Sequence, residues 1–268
     1  MPSSTSSSDE IRRPIPGGRW GLTWAVALAI AAIALVRIEG YVRARHYRPS
    51  VTDDQYLWAI ERGKASPAGR DTVVLLGDSR AQLDLSTAEL RRRLPGYRIV
   101  QLALQFTAPT AALADLAADE DFRGIVIVGV VEWDLGGEER DTLETYVAAY
   151  HRRWRSPGAI AERWLATAAQ SRLTFLSATG RRTLERLLRA GKWPPAVYVA
   201  TQPDRSRLAD YTRRNVDERR QRNEERVRGR RLWKKGSAAW LRTALQLEPH
   251  VRAIRARGGE VVFVRMPM

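Results

Sequence analysis

The chain contains no cysteine, three histidines and only four lysines among its 45 basic residues. The absence of cysteine excludes disulfides and thiolate chemistry, but it leaves the cellular compartment open because many exported proteins also lack cysteine. We predict neither a metal site nor another cofactor. Since lysine is so scarce, arginine supplies nearly all of the formal net charge of +15.

A strongly basic surface can bind nucleic acid, anionic lipid or acidic polysaccharide. No zinc finger, RNA-recognition motif or other nucleic-acid signature accompanies the charge, so we expect no nucleic-acid partner. An arginine-rich and alanine-rich chain is also what the base composition of a genome can produce. The charge therefore does not by itself identify an anionic partner.

The N-terminal part of the chain has two contrasting segments. Residues 1–19 are rich in Ser, Thr, Pro and Gly, which predicts a disordered tail. Residues 20–36 contain no charge and would form a helix of about 26 Å, at the short end of what crosses a bilayer. We predict an uncleaved transmembrane signal anchor at 20–36, with a cleaved signal peptide as the alternative. Arginines flank the run on both sides, so the positive-inside rule leaves the orientation undecided.

Residues 37–70 have the pattern of a juxtamembrane linker with one helix near 53–64, capped by Thr52 or Asp53. Apolar runs then predict strands at 72–76, 98–104, 125–131 and 261–264. Helical segments at 86–94, which opens with a capping box, and at 110–118 lie between the first three of these strands. This alternation predicts an α/β domain over 71–268 with a parallel sheet.

An arginine-rich insertion at 138–256 is predicted to be mostly helical and to end in a helix near 238–257. Residues 217–226 alternate arginine with acidic and amide side chains. Charges of both signs at short spacing are typical of a solvated helix with weak ion pairs. A basic face that contacts lipid headgroups or an acidic polymer is the second interpretation.

The first predicted strand ends in Gly77, Asp78 and Ser79. The carboxyl end of a strand in an open α/β sheet is where such folds place their sites. A serine at this turn would lie near free backbone N–H groups that can hold an oxyanion. The alternative is a glycine turn in which Asp78 or Ser79 caps the following helix.

Residues 75–83, Leu-Leu-Gly-Asp-Ser-Arg-Ala-Gln-Leu, resemble the first block of SGNH/GDSL-type esterases and acyltransferases. The likeness is greatest to the membrane-anchored branch that acts on cell-envelope polymers, and it continues at 100–104, 125–131 and 258–267. The resemblance implies a flavodoxin-like three-layer α/β/α fold with a parallel sheet. It also implies that Ser79 is the nucleophile and one oxyanion donor, and that Asp78 holds the turn through backbone hydrogen bonds.

The chain departs from the pattern of this family in two blocks. The glycine that supplies a second oxyanion donor in relatives is replaced by Phe106, with Thr107 as another possible donor. Phenylalanine cannot freely adopt a positive φ, so this departure argues against an oxyanion hole of the family type. The block after the third strand carries Glu132 and Asp134 without asparagine, and two such acids are more typical of capping or solvated groups than of catalysis.

The larger departure is the missing general base. A serine hydroxyl needs a proton acceptor near neutral pH, and the family supplies one from an Asp-x-x-His motif beyond the final strand. None of His46, His151 and His250 lies in such a motif, so we expect packing or surface roles for them. We predict either a chain that is incomplete at its C-terminus, which we favour, or a degenerate relative that binds without catalysis.

Two functions are predicted from these observations. The first is a protein of the inner membrane, related to esterases or O-acyltransferases of an envelope glycan or acyl-bearing polymer. Its bulk would lie outside the cytoplasm, and it would have little or no activity because no catalytic base is recognisable. The second is a non-catalytic membrane-tethered scaffold whose arginine-rich helices hold an anionic polymer or a partner.

Overall fold

The computed structural model describes residues 20–66, 70–131, 142–153, 156–191, 196–213, 215–229 and 238–266. It shows an α/β protein with a parallel four-stranded sheet and one N-terminal apolar helix. The strands are β1 (Thr72–Leu76), β2 (Arg98–Gln101), β3 (Ile125–Val130), β4 (Val199–Thr201), β5 (Arg207–Ala209) and β6 (Glu260–Arg265). The helices are α1 (Trp20–Ala44), α2 (Gln55–Gly63), α3 (Ser79–Asp84), α4 (Thr87–Arg93), α5 (Thr110–Ala118), α6 (Thr142–Arg153), α7 (Pro157–Gln170), α8 (Ala178–Ala190), α9 (Val216–Gly229), α10 (Ala238–Leu245) and α11 (Glu248–Ala256), with a 3-10 turn at Tyr211–Arg213.

The main sheet has the strand order β2-β1-β3-β6, and its neighbouring strands are all parallel. The four predicted strands are therefore confirmed, although β2 ends at Gln101 instead of the predicted residue 104. The chain runs from β1 outward to β2 and then returns to place β3 on the other side of β1. The carboxyl ends of β1 and β3 thus form the topological switch point of the sheet.

Helices cover both faces of this sheet, because its central strands are apolar on both sides. On one face, Val74 and Val126 belong to a large core together with Trp58 of α2, whose indole N–H donates to Leu102 O at 3.0 Å. On the other face, Val73 and Leu75 pack in a smaller cluster with side chains of the α3–α4 region. The edge strand β6 leaves two apolar side chains, Val262 and Phe263, partly exposed.

Helix α1 is long and apolar enough to cross a membrane by its length and composition. It begins at the predicted residue but continues to Ala44, beyond the predicted end at 36. Its apolar side chains are exposed, as expected for a helix that packs on nothing in the domain along this run. The predicted tail at 1–19 lies outside the described residues.

The region predicted as a helical insertion also contains strands. β4 and β5 form an antiparallel hairpin, which the helical interpretation missed. The predicted final helix is broken, since α10 ends at Leu245 and α11 begins at Glu248. Nearer the N-terminus, α2 is capped by Asp54, whose carboxylate accepts from Leu57 N, and not by Thr52 or Asp53 as predicted.

Candidate functional site

The predicted nucleophile is the first residue of α3, directly beyond the carboxyl end of β1. Asp78 precedes it as the N-cap, with its side chain accepting from Arg80 N at 2.8 Å. The Asp78 carboxylate is thus engaged in holding the turn. Ser79 itself is only half-buried, and its hydroxyl makes no hydrogen bond with any residue that the structure describes.

Gly77 is required at this turn for two reasons. Its φ of +133° lies in a region that residues with a side chain rarely adopt. A Cβ at this position would also come within 2.5 Å of Gly129 O and 2.9 Å of the Ala81 side chain. The close approach of Gly77 to β3 brings the start of α3, and with it Ser79, against the switch point of the sheet.

The second predicted oxyanion segment follows β2 and stays beside β1. Leu104 N donates to Gly77 O at 3.0 Å, which ties this loop to the Gly77 turn. The Thr107 hydroxyl is buried and donates to Leu104 O at 2.9 Å, so its hydrogen bond is formed within the loop.

Phe106 adopts a φ of +63°, although its side chain argued against a positive φ. A positive φ is therefore present at this position in a residue that carries a side chain. Its ring is 67% exposed and gains little from packing, so the strain of about 1–2 kcal/mol is borne by the loop. At Phe106, too, the expectation from the sequence was wrong.

None of the three histidines forms a hydrogen bond with Ser79 as a base would. His151 lies at 2.5 Å from Asp115 Oδ1, between α6 and α5. His46 lies beyond the last turn of α1 and His250 lies in α11, and neither forms a hydrogen bond with Ser79. Glu132 and Asp134 fall outside the described residues.

A buried charged cluster, which the sequence analysis missed, lies behind the two site loops. We call it the Arg205 cluster, and it consists of Asp53, Gln82, Arg205 and Arg207. Arg205 is fully buried, and its guanidinium contacts Asp53 Oδ1 at 2.7 Å. It also donates to two carbonyl oxygens after β2, Gln101 O at 2.7 Å and Ala103 O at 3.1 Å.

The remaining members connect this cluster to α3 and to the loop that precedes Phe106. Gln82 of α3 donates to Asp53 Oδ2 at 3.1 Å. Arg207 donates to Gln105 Oε1 at 2.7 Å and lies 3.4 Å from Asp53 Oδ2. A single carboxylate therefore serves two guanidinium groups, and burial lowers the pKa of Arg207 even though Asp53 opposes that shift.

Only part of this arrangement had a signal in the sequence. The turn of the hairpin is marked by Pro203 and Asp204, residues that favour turns, after the short apolar stretch at 196–200. In the structure Arg205 N donates to Gln202 O at 2.9 Å, and Arg205 has a φ of +65°. The pairing of Arg205 with Asp53, 152 residues away, has no local signature.

Searches against family models, curated proteins and solved structures give no significant match to this chain. Among the described residues, no group of three or more His, Asp or Glu side chains could hold a metal ion. The arrangement on which a function can be built is therefore a serine at a sheet switch point, next to a strained loop and a cationic cluster.

Proposed function

We propose that this protein is a membrane-anchored relative of SGNH/GDSL-type esterases and O-acyltransferases, with Ser79 as the residue positioned for acyl transfer. The observation that carries this proposal is the place of Ser79 at the switch point of a parallel sheet, which is where open α/β folds bind their ligands. The acyl group would come from an ester of an envelope glycan or a similar polymer. α1 would anchor the protein in the inner membrane, with the domain outside the cytoplasm.

Three further observations support the flavodoxin-like assignment. The strand order β2-β1-β3-β6 follows the doubly wound pattern, and helices lie on both faces of the sheet. Gly77 and Asp78 form the turn that the first family block requires. Phe106 has the positive φ that the family's glycine would adopt.

Among the described residues, one component of catalysis is missing. A serine hydroxyl attacks an ester efficiently only when a base accepts its proton, and the described residues offer Ser79 no such partner. We therefore propose a site that is shaped for acyl transfer but slow without an added base. This makes the proposal testable by chemical rescue.

The experiment supplies the missing base to the full-length protein in detergent. The protein is incubated with an activated acetyl ester, with and without imidazole, and covalent acetylation is measured by peptide mass spectrometry. We expect an acetyl group on the Ser79 peptide only when imidazole is present, and none in Ser79→Ala. Ser86→Ala is the matched control, because Ser86 caps a neighbouring helix and should leave acetylation unchanged.

The outcomes separate the parts of the proposal. Rapid Ser79-dependent acetylation without imidazole would show that the chain has its own base. No acetylation of Ser79 under either condition would refute a site for acyl transfer. Equal acetylation of Ser79 and of exposed serines such as Ser86 would mean that the turn confers no special reactivity.

The scaffold function is the second candidate. Its main premise is that arginine-rich helices hold an anionic polymer or a partner, and α9 is such a helix. The described side chains of this helix are exposed, but Arg220 pairs with Glu224 at 3.4 Å and Arg222 pairs with Glu218. These pairs four residues apart are those of a solvated helix with mixed charge, as the sequence predicted. Salt-sensitive retention on an acidic polysaccharide, unchanged in Ser79→Ala, would favour the scaffold.

A further inference from the structure

Helices α7 and α8 expose large apolar side chains that the domain does not cover. Leu188 is 79% exposed and Leu184 is 51% exposed on α8, while Trp164 is 68% exposed on α7. Leu165 on α7 is also exposed. Single exposed apolar residues are common, but four on two consecutive helices call for an explanation.

On α8 the apolar stripe is wider than the part that packs inward. Thr183 is buried and Leu187 is half-buried, so these residues face the protein. At 100° per residue, Leu184 and Leu188 lie beside them on the same side of the helix, still apolar but uncovered. Arg186 and Arg189 are exposed on the other sides of the helix, while Arg181, which pairs with Glu185 at 3.3 Å, lies next to Leu188 at the edge of the stripe. This pattern is typical of a helix that lies in a membrane interface.

The joint between α7 and α8 is attached to the end of α1. Thr174 N and Phe175 N donate to the two carboxylate oxygens of Glu39 at 2.8 and 3.1 Å. Arg43 reaches the same joint and donates to Arg172 O at 2.6 Å. These three bonds fix the end of α7 and the start of α8 to the last turns of α1.

The attachment determines the height of the joint relative to a bilayer. The uncharged run of α1 ends at Val36, and Glu39 is three residues, or about 5 Å, further along the helix. A joint bonded to Glu39 therefore lies at the headgroup level of any bilayer that α1 crosses. Helix α7 ends near that level and α8 begins near it, and each helix is about 20 Å long.

We infer that α7 and α8 lie on the same bilayer that α1 crosses, with Trp164, Leu165, Leu184 and Leu188 inserted at the boundary between headgroups and acyl chains. Tryptophan is favoured at this depth, and the arginines of α8 complement anionic lipid phosphates. This contact would hold the α/β domain in one orientation against the membrane surface. The inference rests on the anchor role of α1 in the proposed function.

The absence of cysteine allows a direct test on the full-length protein. Single cysteines are introduced as Leu184→Cys, Leu188→Cys, Arg189→Cys and Ile30→Cys, labelled with a nitroxide and reconstituted in vesicles of phosphatidylcholine and phosphatidylglycerol. Collision with oxygen, which concentrates in lipid, is compared with collision with a water-soluble nickel chelate. Ile30 is the control for the α1 span and Arg189 is the control for the polar face of α8.

We expect labels at 30, 184 and 188 to collide preferentially with oxygen and the label at 189 to collide preferentially with nickel. A lipid signal at 30 with nickel-accessible labels at 184 and 188 would overturn this inference while leaving the anchor intact. A nickel-accessible label at 30 would overturn the anchor and this inference together. Labels at 184 and 188 that are shielded from both reagents, and that broaden through contact between copies, would mean that a second chain covers this face.

Discussion

Two buried arginines of this protein are compensated in opposite ways. We call the first group the Arg62 cluster, in which Arg62 contacts Asp115 at 2.5 Å and Asp119 at 3.0 Å. One guanidinium there has two carboxylates. In the Arg205 cluster one carboxylate, that of Asp53, has two guanidinium groups.

The difference follows from the position of each cluster in the fold. The Arg62 cluster joins α2 to α5, on the face of the sheet with the large core, and Arg62 also donates to Ser66 at 2.8 Å. Its guanidinium is matched by carboxylates, and His151 contacts Asp115 on the outer side, so every charge in it has a partner, which is what a structural contact requires. The Arg205 cluster lies next to the site loops, and its ion pairs leave an excess of positive charge.

Removing one carboxylate from each cluster should give the largest difference in stability between the two clusters. Asp53→Asn leaves two guanidiniums without a partner charge and should lower the free energy of unfolding by about 3–5 kcal/mol. Asp115→Asn leaves Arg62 with Asp119, so the expected loss is about 1–3 kcal/mol. Urea unfolding in one detergent, followed by circular dichroism, measures both values. Equal losses would contradict the proposed difference in compensation.

Removing one arginine from the Arg205 cluster should have a smaller effect. Arg207→Gln leaves a balanced pair of Asp53 and Arg205, so we expect a change of at most about 1 kcal/mol in the free energy of unfolding. Arg205→Gln is the matched control and should cost about 3–5 kcal/mol, because it leaves two buried backbone carbonyls without a donor and Asp53 with only the longer ion pair to Arg207. A loss in Arg207→Gln as large as that in Arg205→Gln would show that both arginines are needed to stabilise the hairpin.

The smallest expected effect is a pH dependence of the Arg62 cluster. Burial alone raises the pKa of Asp119, but hydrogen bonds from Ser66 and Arg62 outweigh it and hold the pKa below its usual range. A lowered folded pKa stabilises the protein above the unfolded pKa of about 3.9, and this stability is lost as the pH falls through the folded value.

The control for this titration is Asp119→Asn. The variant should be less stable than the wild type at pH 6, and the two should converge as the pH falls below about 4. Unfolding by urea between pH 6 and pH 3 measures the difference. A gap that stays constant over this range would exclude titration of Asp119 as its cause.

Much of the fold was predictable because its signals are local. The apolar run of β1, the helix 110–118 and the turn before α3 are all set by residues adjacent in sequence. Ser86 caps α4 through Glu89 N as the capping box predicted. The hairpin β4–β5 was missed because its strands are three residues long and lie between strongly helical segments.

At the candidate site, too, the features set by neighbouring residues were predicted and those set by the surrounding structure were not. The sequence placed Ser79 at the end of β1 and assigned Gly77 to a turn, since both conclusions depend on adjacent residues. It gave the wrong expectation for the backbone of Phe106, because intrinsic preference favours negative φ and only the surrounding loop imposes +63°.

The sequence alone determined the apolar helix, the parallel α/β pattern and the serine at the strand-to-helix turn. These features depend on residue periodicity and on turn chemistry, which act over a few positions. Only the tertiary structure decided that Asp53 meets Arg205 and that Glu39 binds the joint between α7 and α8. Such contacts join residues more than a hundred positions apart, and they form because burial leaves each charged or polar group in need of a partner that the fold brings close.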